Sequence, residues 1–286
     1  MTVADGKKTR SKRVERILKK REPLLIENTK KVLVLRGHRT SQNIIDVLKD
    51  VSKLSKPHTK SLSRKNDIHP LEDCNSLEFL CDKNDCSLFA LGSHSKKRPH
   101  NLVLGRLHNK HVLDVVEFGV DNFRPIESFA GISKAIGSKP AFVFVGDNWE
   151  VDSTLSRVQN LIIDFFRGDK VDMLSLKGLD HVIACFSHEG VVLMRLYALN
   201  FKKSGSKIPL STLAPMGPFM DLTIRRTTLA PNDMFDAACR IPKELKAKSR
   251  KNVTKSGIGE SIGRVHMKKQ NFDGLPGRKI AVLRKK

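Results

Sequence analysis

The most constraining feature of this sequence is a strand–helix–strand pattern that occurs twice. Val32–Leu35 is a short continuous apolar run, as in a strand covered on both faces, and Ser41 can cap a helix after it. Ala141–Val145 is a second such run, and Asp152 or Ser153 can cap the helix that follows it. Two such units in succession predict an α/β body made of two related halves.

The rest of the body is less regular. We expect short helices over residues 24–31 and 126–136, and irregular chain over the polar residues 55–75. A loop rich in Pro, Gly and Ser is expected over residues 202–218. The dipeptide Glu189-Gly190 between two apolar runs predicts an antiparallel hairpin.

The net charge of +23 is concentrated at the two ends of the chain. Residues 1–31 carry 11 Lys and Arg against 4 acidic side chains, residues 240–286 carry 15 against 3, and the 208 residues between them carry 27 against 23. A nearly neutral body with two basic arms suits a polyanionic partner, with solubilising tails as the alternative. No apolar period is sustained after Pro242, so we expect a tail that is extended or disordered alone and becomes ordered on a partner.

Several classes of protein are excluded or disfavoured. The sequence has no run of 18 apolar residues and no apolar stretch after its basic start, so we expect neither a membrane helix nor a secretory signal peptide. The five cysteines favour a reducing compartment, and without a CxxC pair they predict no metal site. The G-x-G-x-x-G, GxSxG and HExxH patterns are also absent, so we expect neither an enzyme nor a bound cofactor.

Two segments of the first half place basic side chains where a phosphate could bind. Arg36 and Arg39 lie between the first strand and its helix, a junction equally suited to a phosphate and to a structural turn with an N-cap. Lys96, Lys97 and Arg98 follow a strand on a short loop, which suits a nucleic-acid backbone or a solvated hairpin tip.

Arg225 and Arg226 lie in a strand-like segment of the second half. Adjacent residues of a strand point to opposite faces, so we expect that both cannot line one flat surface and that one pairs with an acid. The aromatic content of 6% disfavours a base-stacking sheet and favours recognition of RNA shape and backbone. The basic tail adds the candidates Lys246, Lys248, Arg250, Lys251, Arg264, Lys268 and Lys269.

Several segments carry a family resemblance: Arg21–Lys31, Leu35–Gln42, Phe89–Pro99, Ile163–Gly168, Met216–Pro218 with Arg225-Arg226, and Gly263–Gln270. In these motifs the chain resembles the Brix-domain ribosome biogenesis proteins, from about residue 7 to residue 284. The resemblance implies an α/β Brix domain over residues 29–240, with halves of about 29–120 and 121–240. A basic arm with a short helix (1–28) would precede this domain, and a basic tail (241–286) would follow it.

The resemblance also implies a non-enzymatic, nucleolar protein that binds rRNA. It is strongest to a member that forms an obligate heterodimer with the regulator of ribosome synthesis protein. Together the two are held to bring 5S rRNA and its ribosomal proteins, the 5S ribonucleoprotein, into the pre-60S particle and to support pre-rRNA maturation. Arg225 and Arg226 fall in a stretch of the family proposed to contact RNA, whereas the role of Lys96–Arg98 rests on charge alone. A mature ribosomal protein or another basic RNA-binding scaffold is the alternative.

Overall fold

The computed structural model describes residues 11–14, 25–129, 135–171, 174–205, 209–246, 250–256 and 260–270. The chain divides into one compact unit up to Arg240 and a second from Ile241 onward. Lys248 and most of the basic arm 1–28 lie outside the described residues.

The strands of the described chain are β1 (Val32–Gly37), β2 (Thr59–Asn66), β3 (Leu88–Ser93), β4 (Asn101–His108), β5 (His111–Arg124), β6 (Pro140–Val145), β7 (His181–His188), β8 (Val191–Lys202), β9 (Leu210–Thr228), β10 (Val253–Lys255) and β11 (Ser261–Gly263). The α-helices are α1 (Gln42–Leu54), α2 (Asn75–Asn84), α3 (Asn148–Val151), α4 (Ser153–Phe166) and α5 (Asn232–Cys239). Single 3-10 turns occupy Ile126–Ser128, Leu176–Gly178 and Lys243–Leu245.

One mixed sheet runs through the whole first unit, in the order β2-β1-β3-β4-β5-β9-β8-β7-β6. In the first half β1 and β3 are parallel, and β3, β4 and β5 continue as an antiparallel meander. The second half repeats this arrangement, with β6 and β7 parallel and β7, β8 and β9 antiparallel. The two halves join where β5 pairs antiparallel with β9. The prediction of two related α/β halves is therefore confirmed.

Helices α1 and α4 cover one face of the sheet across both halves. Their apolar residues, among them Val47 and Val51 of α1 and Leu161 and Ile162 of α4, join sheet residues such as Phe118 in a single buried cluster. Burying this shared face stabilises both halves together, because apolar surface removed from water contributes roughly 25 cal/mol per Å². A truncation within this cluster should therefore destabilise both halves at once.

Side-chain caps begin both of these helices, as the sequence predicts. The Ser41 hydroxyl accepts from the Ile44 amide at 3.4 Å, and an Asp152 carboxylate oxygen accepts from the Thr154 amide at 2.8 Å. Each cap satisfies a backbone donor that has no partner within its own helix.

Among the described residues, the opposite face of the sheet is covered by a helix in the first half only. There α2 packs Leu77 and Cys81 onto a second buried cluster. In the second half the described residues provide no such helix, and β6 is the outer strand with β7 as its one neighbour. Val143 and Val145 of β6 are 44% and 45% exposed. The expectation that β6 is a buried strand is therefore wrong, because no element of the described chain covers it as β2 and α2 cover the first half.

Two of the expected non-sheet segments are in fact strands. The polar residues 55–75 include β2, which pairs with β1 at the edge of the sheet, where polar side chains remain in water. The loop expected over 202–218 is mostly the start of β9. Pro215 and Pro218 are tolerated there because this part of β9 pairs with β8 alone, so one side of its backbone needs no hydrogen-bond partner.

The expected helix over residues 24–31 is absent from its described part, residues 25–31, which are irregular. The Thr29 hydroxyl donates a hydrogen bond to Asp169. Lys30 Nζ lies 2.7 Å from a carboxylate oxygen of Asp164, and Lys31 Nζ lies 2.7 Å from one of Asp85. These contacts to separate parts of the body hold the segment in an open conformation. The helix expected over 126–136 is reduced to the 3-10 turn in its described part, and residues 130–134 lie outside the described chain.

Candidate nucleic-acid interface

Three of the candidate arginines meet on the sheet face that also carries α2. Glu117, 1% exposed, accepts from Asn101 Nδ2 at 2.7 Å and from Arg226 Nε, and it lies 3.6 Å from Arg98 Nη1. Arg225 Nη1 donates to the Asn101 side-chain oxygen at 3.3 Å. We call these five residues, drawn from β4, β5, β9 and the β3–β4 loop, the arginine cluster.

A β-bulge brings the two adjacent arginines to the same side. Glu117 pairs with Arg226 and the next residue, Phe118, pairs with Ile224, so Arg225 is an extra residue in β9. The prediction that the two cannot line one surface is wrong, because strict alternation holds only in a regular strand. The prediction that one of them pairs with an acid is confirmed by Arg226 and Glu117.

The arginine cluster has a net positive charge around one buried carboxylate. Burial alone would raise the pKa of Glu117, but hydrogen bonds from Arg226 and Asn101 and the nearby Arg98 charge outweigh it and leave the pKa below its usual value. The hydrogen bond to Glu117 in turn raises the pKa of Arg226. Arg226 and Arg98 remain 38% and 41% exposed, so both present cationic surface to solvent.

The β3–β4 loop carries the neighbouring basic residues. Lys96 and Lys97 are exposed, and the Ser95 hydroxyl accepts from the Arg98 amide at 3.1 Å. The His94 amide donates to the Arg39 carbonyl at 2.8 Å, which places the exposed Arg39 on the adjoining loop. Arg39, Lys96 and Lys97 therefore lie on neighbouring loops. The β3–β4 loop, which carries the two lysines, also carries Arg98 of the arginine cluster.

Arg36 lies apart from these residues. It follows Leu35 in β1 and points to the opposite face of the sheet, on the side of α1. Its Nε atom is buried without a hydrogen-bond partner among the described residues. The junction between β1 and α1 forms a structural turn with an N-cap, one of the two alternatives for this segment. The Ser41 hydroxyl caps α1 and lies 2.9 Å from His100 Nδ1.

The tail candidates belong to the second unit. The Arg264 amide donates to the Asn252 carbonyl at 2.7 Å, which extends the β10–β11 hairpin. The described candidates are exposed: Lys246, Arg250, Lys251, Arg264, Lys268 and Lys269. Lys248 lies outside the described residues.

Sequence reasoning missed Glu117 and Asn101, which organise the arginine cluster. The available signal was Glu117 itself, one of two acids (with Asp114) in an otherwise apolar stretch of β5, since a carboxylate in such a place needs a charged or hydrogen-bonding partner. Nothing in the sequence identifies that partner, because Arg226 lies 109 residues further along the chain.

The described residues contain no group of three His, Cys, Asp or Glu side chains placed to hold a metal ion. Burial raises the pKa of Cys81 and of Cys185 to about 12, so both thiols are protonated at neutral pH. In the described part of the chain no helix is long and apolar enough to cross a membrane.

The model of the Brix domain family matches residues 37–226, more than half of the chain. The chain belongs to the Brix domain family. A mouse ribosome production factor 2 homolog is 42% identical over 257 residues, covering 90% of this chain and 84% of its own length. The ribosome biogenesis protein RPF2 of Saccharomyces cerevisiae is 37% identical over 291 residues, covering 98% of this chain and 85% of its own length.

Among solved structures, this Brix-family chain is similar to a probable ribosomal biogenesis protein from Aeropyrum pernix. The two share 14% identity at a TM-score of 0.44, over 71% of this chain and 97% of the other. Family membership and the identity to its eukaryotic relatives make the chain a ribosome biogenesis factor.

Proposed function

We propose that this chain is a non-enzymatic assembly factor of the large (60S) ribosomal subunit that binds rRNA in the nucleolus. With the regulator of ribosome synthesis protein as its heterodimer partner, it recruits 5S rRNA and its ribosomal proteins into pre-60S particles and supports pre-rRNA maturation. The observation that carries this proposal is the arginine cluster, a preformed cationic surface on a Brix fold whose two ends are strongly basic.

The arrangement supports binding of the RNA backbone rather than reading of bases. Guanidinium groups match phosphate oxygens with two parallel hydrogen bonds, and the exposed lysines of the β3–β4 loop add charge beside them. No exposed aromatic side chain is among the five members of the cluster, so base stacking has no platform there.

Salt dependence tests the electrostatic part of the proposal. If about six Lys and Arg side chains contact phosphates, log K should fall with log salt at a slope near −4, from roughly −0.7 per contact for single strands. The measurement is binding of the full chain to a 5S rRNA transcript at a series of salt concentrations. A flat response would contradict binding through charge.

Deleting residues 242–286 tests the tail. The second unit is compact by itself, so the deletion should weaken association with RNA and pre-60S particles and leave the first unit folded. The measurements are RNA affinity and the cooperativity of thermal unfolding. Unchanged affinity would count against a role of the tail in binding.

The second half of the sheet supports the partner assignment. Strand β6 offers an unpaired edge, and Val143 and Val145 form an apolar face that no described helix covers. Soluble proteins rarely leave such an edge free, and an added strand from another chain is a common way to pair it. We assign this position to a segment of the regulator of ribosome synthesis protein.

Charged substitutions on this face test the assignment. Val143→Lys and Val145→Lys should weaken heterodimer formation, because the new lysine charge would be buried at the contact with the partner. In the free chain the same lysine remains in water, so the fold should be unaffected. Val151→Lys is the matched control, since Val151 on α3 is 84% exposed. Equal binding of all three variants to the regulator, or a stable wild-type chain that never binds the regulator, would contradict the proposal.

The alternative function is tested by the composition of finished subunits. Stoichiometric presence of this chain in finished subunits would favour a mature ribosomal protein.

A further inference from the structure

We propose that Gly119 and Asn101 are positioning residues, which hold the Arg225 guanidinium flat against β5 as a preformed site for one RNA phosphate. This inference rests on the proposed RNA-binding function and adds to it the residues that shape the site. Neither residue carries charge, and both adjoin the Arg225 side chain, so we assign their effect on RNA to the orientation of Arg225.

The first observation is the space that Gly119 leaves. A Cβ atom on Gly119 would lie 2.6 Å from Arg225 Nη2, 2.7 Å from Nε and 2.8 Å from Cζ. These distances are shorter than van der Waals contact, so any side chain would push the guanidinium away from the sheet. The guanidinium therefore lies directly over the backbone of β5.

Backbone conformation does not explain this glycine. Gly119 is absent from the residues with positive φ, so other amino acids could adopt its backbone angles. Glycine inside a strand is unfavourable because it loses more conformational freedom on folding and packs no side chain. The close approach of Arg225 accounts for its presence at this position.

Asn101 supplies the second contact and is itself anchored. Its side-chain oxygen accepts from Arg225 Nη1 at 3.3 Å, while its Nδ2 donates to Glu117 at 2.7 Å and to Ser93 Oγ at 3.2 Å. Asn101 is buried, so its amide has little freedom to turn. The orientation of the Arg225 guanidinium is thereby set before any ligand binds, which lowers the entropy lost on binding.

The ligand is identified by charge and shape. Arg225 is only partly buried and is flanked by Arg98 and Arg226. Of the two carboxylates near these arginines, Glu117 is occupied by its own partners, and Glu72 acts on Arg226 through its charge. A planar guanidinium with open donors binds a phosphate oxygen pair, and adjacent cations suit a chain of phosphates. Lys96 and Lys97 on the adjoining loop extend the positive surface, which favours a polyanion such as RNA over a single acidic side chain.

The test compares Gly119→Ala, Arg225→Ala and the double variant of the full chain on a fluorescein-labelled 5S rRNA transcript. Gly178→Ala is the matched control, because a Cβ there meets nothing within 4 Å. Loss of one phosphate contact should weaken binding about fivefold at 0.1 M salt and reduce the salt slope by roughly 0.7 to 0.9. We expect Gly119→Ala to show both effects and to add nothing in the Arg225→Ala background.

Arg225→Lys keeps the proposal testable if Gly119→Ala fails to fold. Lysine retains the charge but lacks the planar fork, so its affinity should be reduced close to that of Arg225→Ala; wild-type affinity for Arg225→Lys would overturn the inference. Two further results would contradict the inference and leave RNA binding itself intact. In the first, the wild type binds with a clear salt slope and Arg225→Ala binds equally well. In the second, the losses of affinity caused by Gly119→Ala and Arg225→Ala are additive. If the wild type shows no salt-dependent binding, the proposed function itself is wrong.

Discussion

Replacing Glu117 by glutamine should destabilise the first unit by about 2 kcal/mol at pH 7. The glutamine keeps the shape and one acceptor oxygen but loses the charge that Arg226 and Arg98 face. A hydrogen bond to a charged group contributes roughly 1.5 to 3 kcal/mol against about 1 for a neutral one, and an unsatisfied buried group costs about 1 to 3. Because Arg226 is 38% exposed, water replaces part of the lost interaction, so the lower half of these ranges applies.

The assay is urea unfolding followed by the fluorescence of Trp149, the one tryptophan of the chain, which is buried in the first unit. The pKa of Glu117 in the folded chain is below its unfolded value of 4.5, so the carboxylate stabilises the fold above that pH and its contribution is lost as pH falls further. The difference between wild type and Glu117→Gln should therefore be constant at neutral pH and shrink below about pH 4.5. The exposed Glu150→Gln is the control. Equal stability at pH 7, or a difference that grows on acidification, would refute the reasoning.

Two further predictions concern other parts of the first unit. Phe235→Ala should remove the ring whose centroid lies 3.5 Å from Arg157 Cζ, and so loosen α5 at a cost of about 1 kcal/mol in its local stability. Faster amide hydrogen exchange confined to α5 would support this prediction, and unchanged exchange would argue against it. In the native chain Ellman's reagent should react first with the exposed Cys239. Cys81 and Cys185 should react only on unfolding, because burial raises the pKa of each thiol to about 12. Mass spectrometry of the labelled peptides gives the order of reaction, and early labelling of Cys81 or Cys185 would contradict the prediction.

Much of the fold follows from local sequence. Ser41 and Asp152 cap their helices as expected, and Glu189-Gly190, with φ values of 47° and 79°, forms the predicted hairpin turn between β7 and β8. These features depend on neighbouring residues alone, so their signals lie within a few positions. Strand β2 was missed because an edge strand can be polar, which removes the apolar pattern on which strand prediction depends.

The candidate site was only partly predictable. Its basic residues are visible in the sequence, but the bulge at Arg225 reverses the expected orientation of that side chain. The register of β9 against β5 arises from packing across the whole sheet, and no local pattern encodes it. Asn101, Glu117 and Gly119 acquire their roles only through that register, which joins residues more than a hundred positions apart.

Crosslinking of the chain to RNA in cells, followed by sequencing of the bound RNA, tests the central claim most directly. The account predicts crosslinks concentrated in 5S rRNA and in the precursor of the large-subunit rRNA, and weaker crosslinks for Arg225→Ala. Recovery of rRNA no greater than in an uncrosslinked control would contradict a role in binding rRNA, as would crosslinks spread evenly over unrelated transcripts.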